Sequence, residues 1–136
     1  MPKRAASPRT PVNCPCDPRM AYNACCGRLH RGEADAATAE QLMRSRYSAF
    51  ALRNADYLLR SWHPRTRPRR MGFDPGLVWT GLTVLGTTGG SPLHAEGTVR
   101  FSATFTEDGR AGRMDEDSRF LRHDGAWVYL NGVIMS

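Results

Sequence analysis

Hydrophobic and polar positions change their period once along the chain, and that change divides it. Between residues 38 and 62 the apolar side chains recur at helical spacing. Met43, Tyr47, Phe50 and Ala51 stand at i, i+4, i+7 and i+8, one buried stripe, with Arg44, Ser45 and Ser48 off it. Thr38-Ala39-Glu40-Gln41 reads as a capping box, and Glu40 suits the positive end of the helix it opens. This helix is predicted to run to about Leu52. Asn54 then caps a shorter helix over 55–62, with Leu58, Leu59 and Trp62 on its apolar side. His63 precedes Pro64, and a residue before proline leaves helical geometry, so the element ends there.

From Leu77 the pattern is that of strands. Leu77–Thr87 is rich in Val, Leu and Thr. Thr88-Gly89-Gly90-Ser91-Pro92 is a turn. In Ala95–Phe105, Val99, Phe101, Ala103 and Phe105 point one way and Thr98, Arg100, Ser102 and Thr104 the other. Glu107-Asp108-Gly109 and Asp124-Gly125 are hairpin turns around Met114–Leu121. A last strand, Ala126–Leu130, is predicted to close at Asn131-Gly132. Helices followed by a run of hairpins make an antiparallel α+β domain.

Residues 1–33 fit neither period. Pro2, Pro8 and Pro11 among small and basic residues predict a disordered lead-in over 1–12. All four cysteines follow: Cys14, Cys16, Cys25 and Cys26. Four thiolates in so short a loop suit one tetrahedral, structural Zn²⁺ with no position left for a substrate. Disulfides are a competing reading, but a bridge between neighbours such as Cys25 and Cys26 is strained. An iron–sulfur cluster, redox chemistry and unrelated buried thiols are further readings, and His30 is an alternative fourth ligand. Zinc with four thiolates carries a formal charge of −2, which Arg19, Arg28 and Arg31 are placed to offset.

Composition narrows the class. At 136 residues the chain has the length of one domain. No apolar run approaches the length of a membrane-crossing helix, and residues 1–13 lack the apolar core of a secretory segment, so the cytoplasm is the expected compartment. The net charge is +6, and residues 1–33 hold six Lys/Arg against two acids. That basic end suits a protein partner, nucleic acid or a ribosomal surface. Arginine supplies eighteen of the nineteen bases, however, an excess that GC-rich coding alone produces.

The residues also carry a resemblance. CPCDPRMAYNACCGRLHRGE resembles the SEC-C motif, a zinc knuckle also found in the preprotein translocase ATPase SecA. LMRSRYSAFALRNADYLLRSWHP, Trp79, HAEGTVRFSATF and DEDSRFLRHDGAWVYLNG are similar to the central domain of the YchJ-like family of uncharacterised bacterial proteins. The resemblance spans residues 13–132. It implies a SEC-C knuckle over 13–33 followed by a nuclear transport factor 2-like α+β cone over 34–136, in which helices close a curved antiparallel sheet. It implies no established reaction. Cones of this type often pair through their sheets, so a homodimer is a further expectation. Asp17-Pro18-Arg19 replaces the usual Gly-Ser-Gly, and Pro18 offers no N–H to a sulfur.

Two functional classes follow. The first is a docking module that presents the basic knuckle to a protein partner, as the SEC-C motif of SecA implies. The second is a small-ligand binder, or an isomerase- or dehydratase-type enzyme, working in the mouth of the cone. Tyr47, Trp62, His63, Arg100 and Glu116 are the candidate pocket residues, with His63 and Glu116 as a candidate acid–base pair. Each has a plainer structural role open to it: a backbone-bonded histidine, an ion-paired glutamate, core aromatics. The sequence holds no phosphate-cradling glycine loop and no H-E-x-x-H motif.

Overall fold

In the computed structural model, which describes residues 11–135, two short strands, three helices and a four-stranded sheet follow one another in the chain. β1 (Asn13–Cys14) and β2 (Asp17–Ala21) form a small antiparallel hairpin. A 3-10 turn, Tyr22–Ala24, leads into α1 (Cys26–His30). α2 (Ala39–Ala51) and α3 (Ala55–Arg60) come next, then the meander β3 (Leu77–Gly89), β4 (Glu96–Glu107), β5 (Arg110–His123) and β6 (Ala126–Met135). The sheet order is β3-β4-β5-β6, antiparallel throughout. The expected lead-in falls mainly on residues 1–10, outside the described residues; Val12 accepts a backbone bond from Tyr22 at 3.0 Å.

Local chemistry sets the boundaries. Thr38 Oγ1 accepts from the N–H of Gln41 at 3.0 Å, and the Gln41 side chain accepts in return from Ala37 N–H at 2.6 Å, a capping box displaced by one residue. Asn54 Oδ1 caps α3 by accepting from Tyr57 N–H at 3.0 Å. Between the two helices Arg53 turns the chain at φ 58°, and its guanidinium ties the following loop by donating to the carbonyls of Pro75 and Leu77. Asp108-Gly109 and Asp124-Gly125 are two-residue hairpin loops with positive φ at both positions.

The sheet is curved by irregular register at three places: between Trp79 and Gly81, between Val84 and Gly86, and between Arg119 and Phe120. The third corrects the expected end of β6. Asn131-Gly132 does not close the strand: it continues to Met135, with Asn131 opposite Arg119 and Gly132 opposite Ser118. β6 is also covered on its free edge, where Ser61–His63 pair with Tyr129 through bonds of 2.7 and 2.9 Å.

α2 lies in the hollow of the sheet and is buried nearly all round. Ser45, Arg46 and Ser48 are 0%, 5% and 0% exposed, which corrects the expectation that Ser45 and Ser48 lie off the buried stripe. Each has a partner that makes burial tolerable. Ser45 Oγ donates to Leu42 O at 2.6 Å and meets Tyr57 Oη at 2.7 Å. Ser48 Oγ lies 3.5 Å from Cys14 Sγ. The core therefore runs without a break from Cys14, Cys26 and Leu29 through Leu42 and Leu58 to Val99 and Phe120.

Candidate functional site

The four cysteines meet. Cys14 ends β1, Cys16 precedes β2, Cys25 precedes α1 and Cys26 opens it, so two tight turns present all four side chains to one point. Their sulfurs lie within 4.8 Å of one another, with Cys14 to Cys16 and Cys16 to Cys25 both at 3.6 Å. Four sulfurs held about 2.3 Å from one ion in a tetrahedron are about 3.8 Å apart. The donor set and spacing therefore fit a closed Zn²⁺ site. All four are free thiols rather than paired disulfides.

Their mutual crowding is visible in their acidities. Hydrogen bonds from Cys16 and then Cys26 hold the Cys14 thiol far below its ordinary value. The contact with Cys14 pushes Cys16 and Cys26 up, and burial adds to the rise. A dication shared by the four sulfurs would take the place of the thiol protons. Gly27 lets the turn close: a Cβ there would stand 2.7 Å from the Tyr22 carbonyl oxygen and 2.9 Å from the Arg31 guanidinium.

His30 does not replace a cysteine as fourth ligand. It is buried, with Nδ1 at 2.6 Å from Tyr22 Oη and Nε2 at 2.8 Å from the Ser45 carbonyl. Of the three arginines expected to offset the thiolates, two are already paired: Arg19 with Asp17 at 3.0 Å and Arg31 with Glu33 at 2.7 Å. Arg28 does border the cysteines. So does Arg44 of α2, which the sequence reading did not single out and which donates to Cys16 O at 3.3 Å. Arg28, Arg44, Met20 and Gln41 edge a groove between the knuckle and the start of α2.

A second feature lies behind α2, on the concave side of the sheet: a cavity of about 240 Å³. Tyr47, Trp62 and Glu116, three of the five expected pocket residues, line it. The other two are corrected. Arg100 projects from the opposite, exposed face of β4, as the alternation of that strand requires, since Val99 and Phe101 beside it are buried. His63 is turned away by its backbone bond to Tyr129; its ring faces His123 at 5.2 Å between centroids and accepts from Arg65 N–H at 3.0 Å. His63 and Glu116 consequently form no acid–base pair. Arg46, not among the expected pocket residues, forms part of the cavity wall instead.

Comparison with known proteins places this architecture. A family model described as "YchJ, middle NTF2-like domain" matches residues 38–132. A UPF0225 protein of Streptomyces avermitilis is 55% identical over 95% of this chain and 89% of its own length; one from Corynebacterium glutamicum is 49% identical over 89% of this chain and 96% of its own. The chain belongs to the YchJ-like family. Two solved structures share its shape, both described as SEC-C motif-containing proteins. That of Rhodopseudomonas palustris has a TM-score of 0.78 and 32% identity, covering 91% of this chain and 99% of that one. That of Psychrobacter arcticus has a TM-score of 0.72 and 25% identity, covering 91% and 83%. This YchJ-like chain thus has the NTF2-like α+β fold preceded by an N-terminal cysteine cluster. Among its described residues no helix is long and apolar enough to cross a membrane.

Proposed function

We propose that Cys14, Cys16, Cys25 and Cys26 hold one structural Zn²⁺, and that the knuckle they shape docks a protein partner. The convergence of four sulfurs within 4.8 Å carries the first half. Such a site contributes folding free energy and keeps no open position for catalysis. Thiolates that must stay reduced to bind metal fit a compartment such as the cytoplasm. The groove beside the knuckle supports the second half. It combines the exposed thioether of Met20 with Arg28, features suited to an apolar and acidic segment of another protein; Arg44 on the same edge pairs with Glu40 at 2.9 Å.

A nucleic-acid partner is less well supported. Within residues 11–33 only Arg19, Arg28 and Arg31 are basic, and two of them are neutralised by Asp17 and Glu33. The test has two stages. Metal analysis of protein purified under reducing conditions should find one zinc per chain, and none in a Cys25→Ser, Cys26→Ser variant. A Met20→Asp, Arg28→Glu variant that keeps its zinc should then lose the proteins crosslinked to the wild-type knuckle. Equal recovery by the metal-bound groove variant rejects docking while leaving the metal site standing.

A further inference from the structure

The cavity behind α2 holds a cation, Arg46, with no carboxylate in direct ion-pair contact; Glu116, which lines the same cavity, acts on it only at longer range. Arg46 is buried, and its Nη1 donates to the Leu58 carbonyl at 2.8 Å and to Ser61 Oγ at 2.7 Å. Its other guanidinium nitrogens bond to nothing among the described residues, and no carboxylate oxygen of those residues lies within 4.0 Å of it. The rings of Trp62 and Tyr129 flank it, with centroids at 4.8 and 4.5 Å. Cation–π contact offsets part of the cost of burying a cation, on the order of 1–2 kcal/mol against a penalty of several. Burial lowers the Arg46 pKa to about 10, which still leaves it charged at neutral pH.

An independent signal lies beside it. The indole N–H of Trp62 is buried and has no acceptor among the described residues. Two neighbouring groups on one wall therefore offer donors with nothing to receive them. On the sheet wall Glu116 accepts from Ser118 Oγ at 2.6 Å, and Gly132 gives it room, since any side chain at that position would collide with its carboxylate. The remaining lining is aromatic or aliphatic, including Phe50, Trp79, Phe101 and Met114. Arg46 is the one cation of the lining, and about 240 Å³ is at the small end for ligand sites.

We propose that the cavity binds a small monocarboxylate with a flat apolar body, its carboxylate received by Arg46 and the Trp62 indole N–H and its donor group, if it carries one, by Glu116. A guanidinium and a neighbouring indole N–H can each donate to one of a carboxylate's two oxygens. A phosphate dianion would call for more than one cation. The aromatic lining selects the apolar body, and Glu116 favours a hydroxyl or ammonium at its far end. The site uses no cysteine and does not depend on the docking proposal.

The test uses the full chain as purified, with benzoate, para-hydroxybenzoate and para-(aminomethyl)benzoate as probes. Their primary amides and inorganic phosphate serve as comparators. The readout is the Trp62 indole N–H resonance in proton–nitrogen correlation spectra. At least one acid should shift it saturably and bind about tenfold or more tightly than its amide, while phosphate leaves it unmoved. Ala103→Leu, which fills the cavity from β4, should abolish the shift. Arg46→Met should remove the preference for acid over amide; because Arg46 also holds Leu58 and Ser61, the wild-type comparison stands if that variant does not fold. Acids and amides binding alike, or no acid moving the resonance at millimolar concentration, overturns the proposal.

Discussion

His30 is the residue whose surroundings decide most. A histidine four positions beyond Cys26 reads as a candidate ligand, yet both ring nitrogens are engaged elsewhere. A carbonyl only accepts, so Nε2 carries the proton and donates to Ser45 O, while Nδ1 accepts from the Tyr22 hydroxyl. Burial holds the ring pKa below its ordinary 6.5. An unfolded chain therefore takes up the proton first as pH falls. The stability contributed by neutral His30 is complete above about pH 6.5 and is lost as pH falls from there toward the depressed folded value. His30→Gln should cost about 2 kcal/mol or more in urea unfolding near pH 7.5, because Tyr22 and Ser45 lose a partner. The difference from wild type should shrink near pH 5.5. Loss of the proposed metal in acid would affect both proteins alike and cancel in that comparison, so a gap that stays constant with pH would refute the assignment. No spacing rule discloses such a role: the cysteine spacing alone makes His30 a ligand candidate, and only the contact with Ser45, fifteen residues on, makes it structural.

Elements were more legible than individual roles. Thr38 and Asn54 mark both helix starts because a cap is a local interaction, settled within three residues. The hairpins over Asp108-Gly109 and Asp124-Gly125 are legible for the same reason. Thr38→Ala should lower stability by about 1 kcal/mol, read as a shift of the urea midpoint with the slope unchanged. A change below the error of the measurement would show that the Gln41 bond to Ala37 suffices as a cap. Long-range register was not legible. Asn131-Gly132 has the composition of a turn, but the irregularity at Arg119/Phe120 absorbs it and β6 runs on. Ser45 and Ser48 read as lying off the buried stripe, and nothing local in the sequence puts Arg46 in the cavity wall. Their partners Tyr57, Ser61 and Cys14 lie twelve, fifteen and thirty-four residues away. Arg100 is the opposite case. The strand alternation itself sets it on the outer face, between the inward-facing Val99 and Phe101.

At the scale of the whole molecule, the knuckle and the cone share one core. Cys14 touches Ser48, Arg44 reaches the Cys16 carbonyl, Arg60 donates to the carbonyls of Leu29 and His30, and His30 packs between Tyr22 and Tyr57. A metal held by the four cysteines, as proposed, would contribute to the stability of everything packed behind them. Chelation under reducing conditions should therefore lower the melting temperature of the entire chain by about 10 °C or more, in a single calorimetric transition. Two transitions, one of them unmoved by the chelator, would show that the knuckle folds as a separate unit. The same arrangement leaves α2 with the sulfur cluster against one side and the cavity against the other. A helix so enclosed has almost no neutral drift open to it. Random replacement should be tolerated on the outer face of β4, where Arg100 stands in water, and purged along Leu42–Ala49, where every residue but Arg44 is buried.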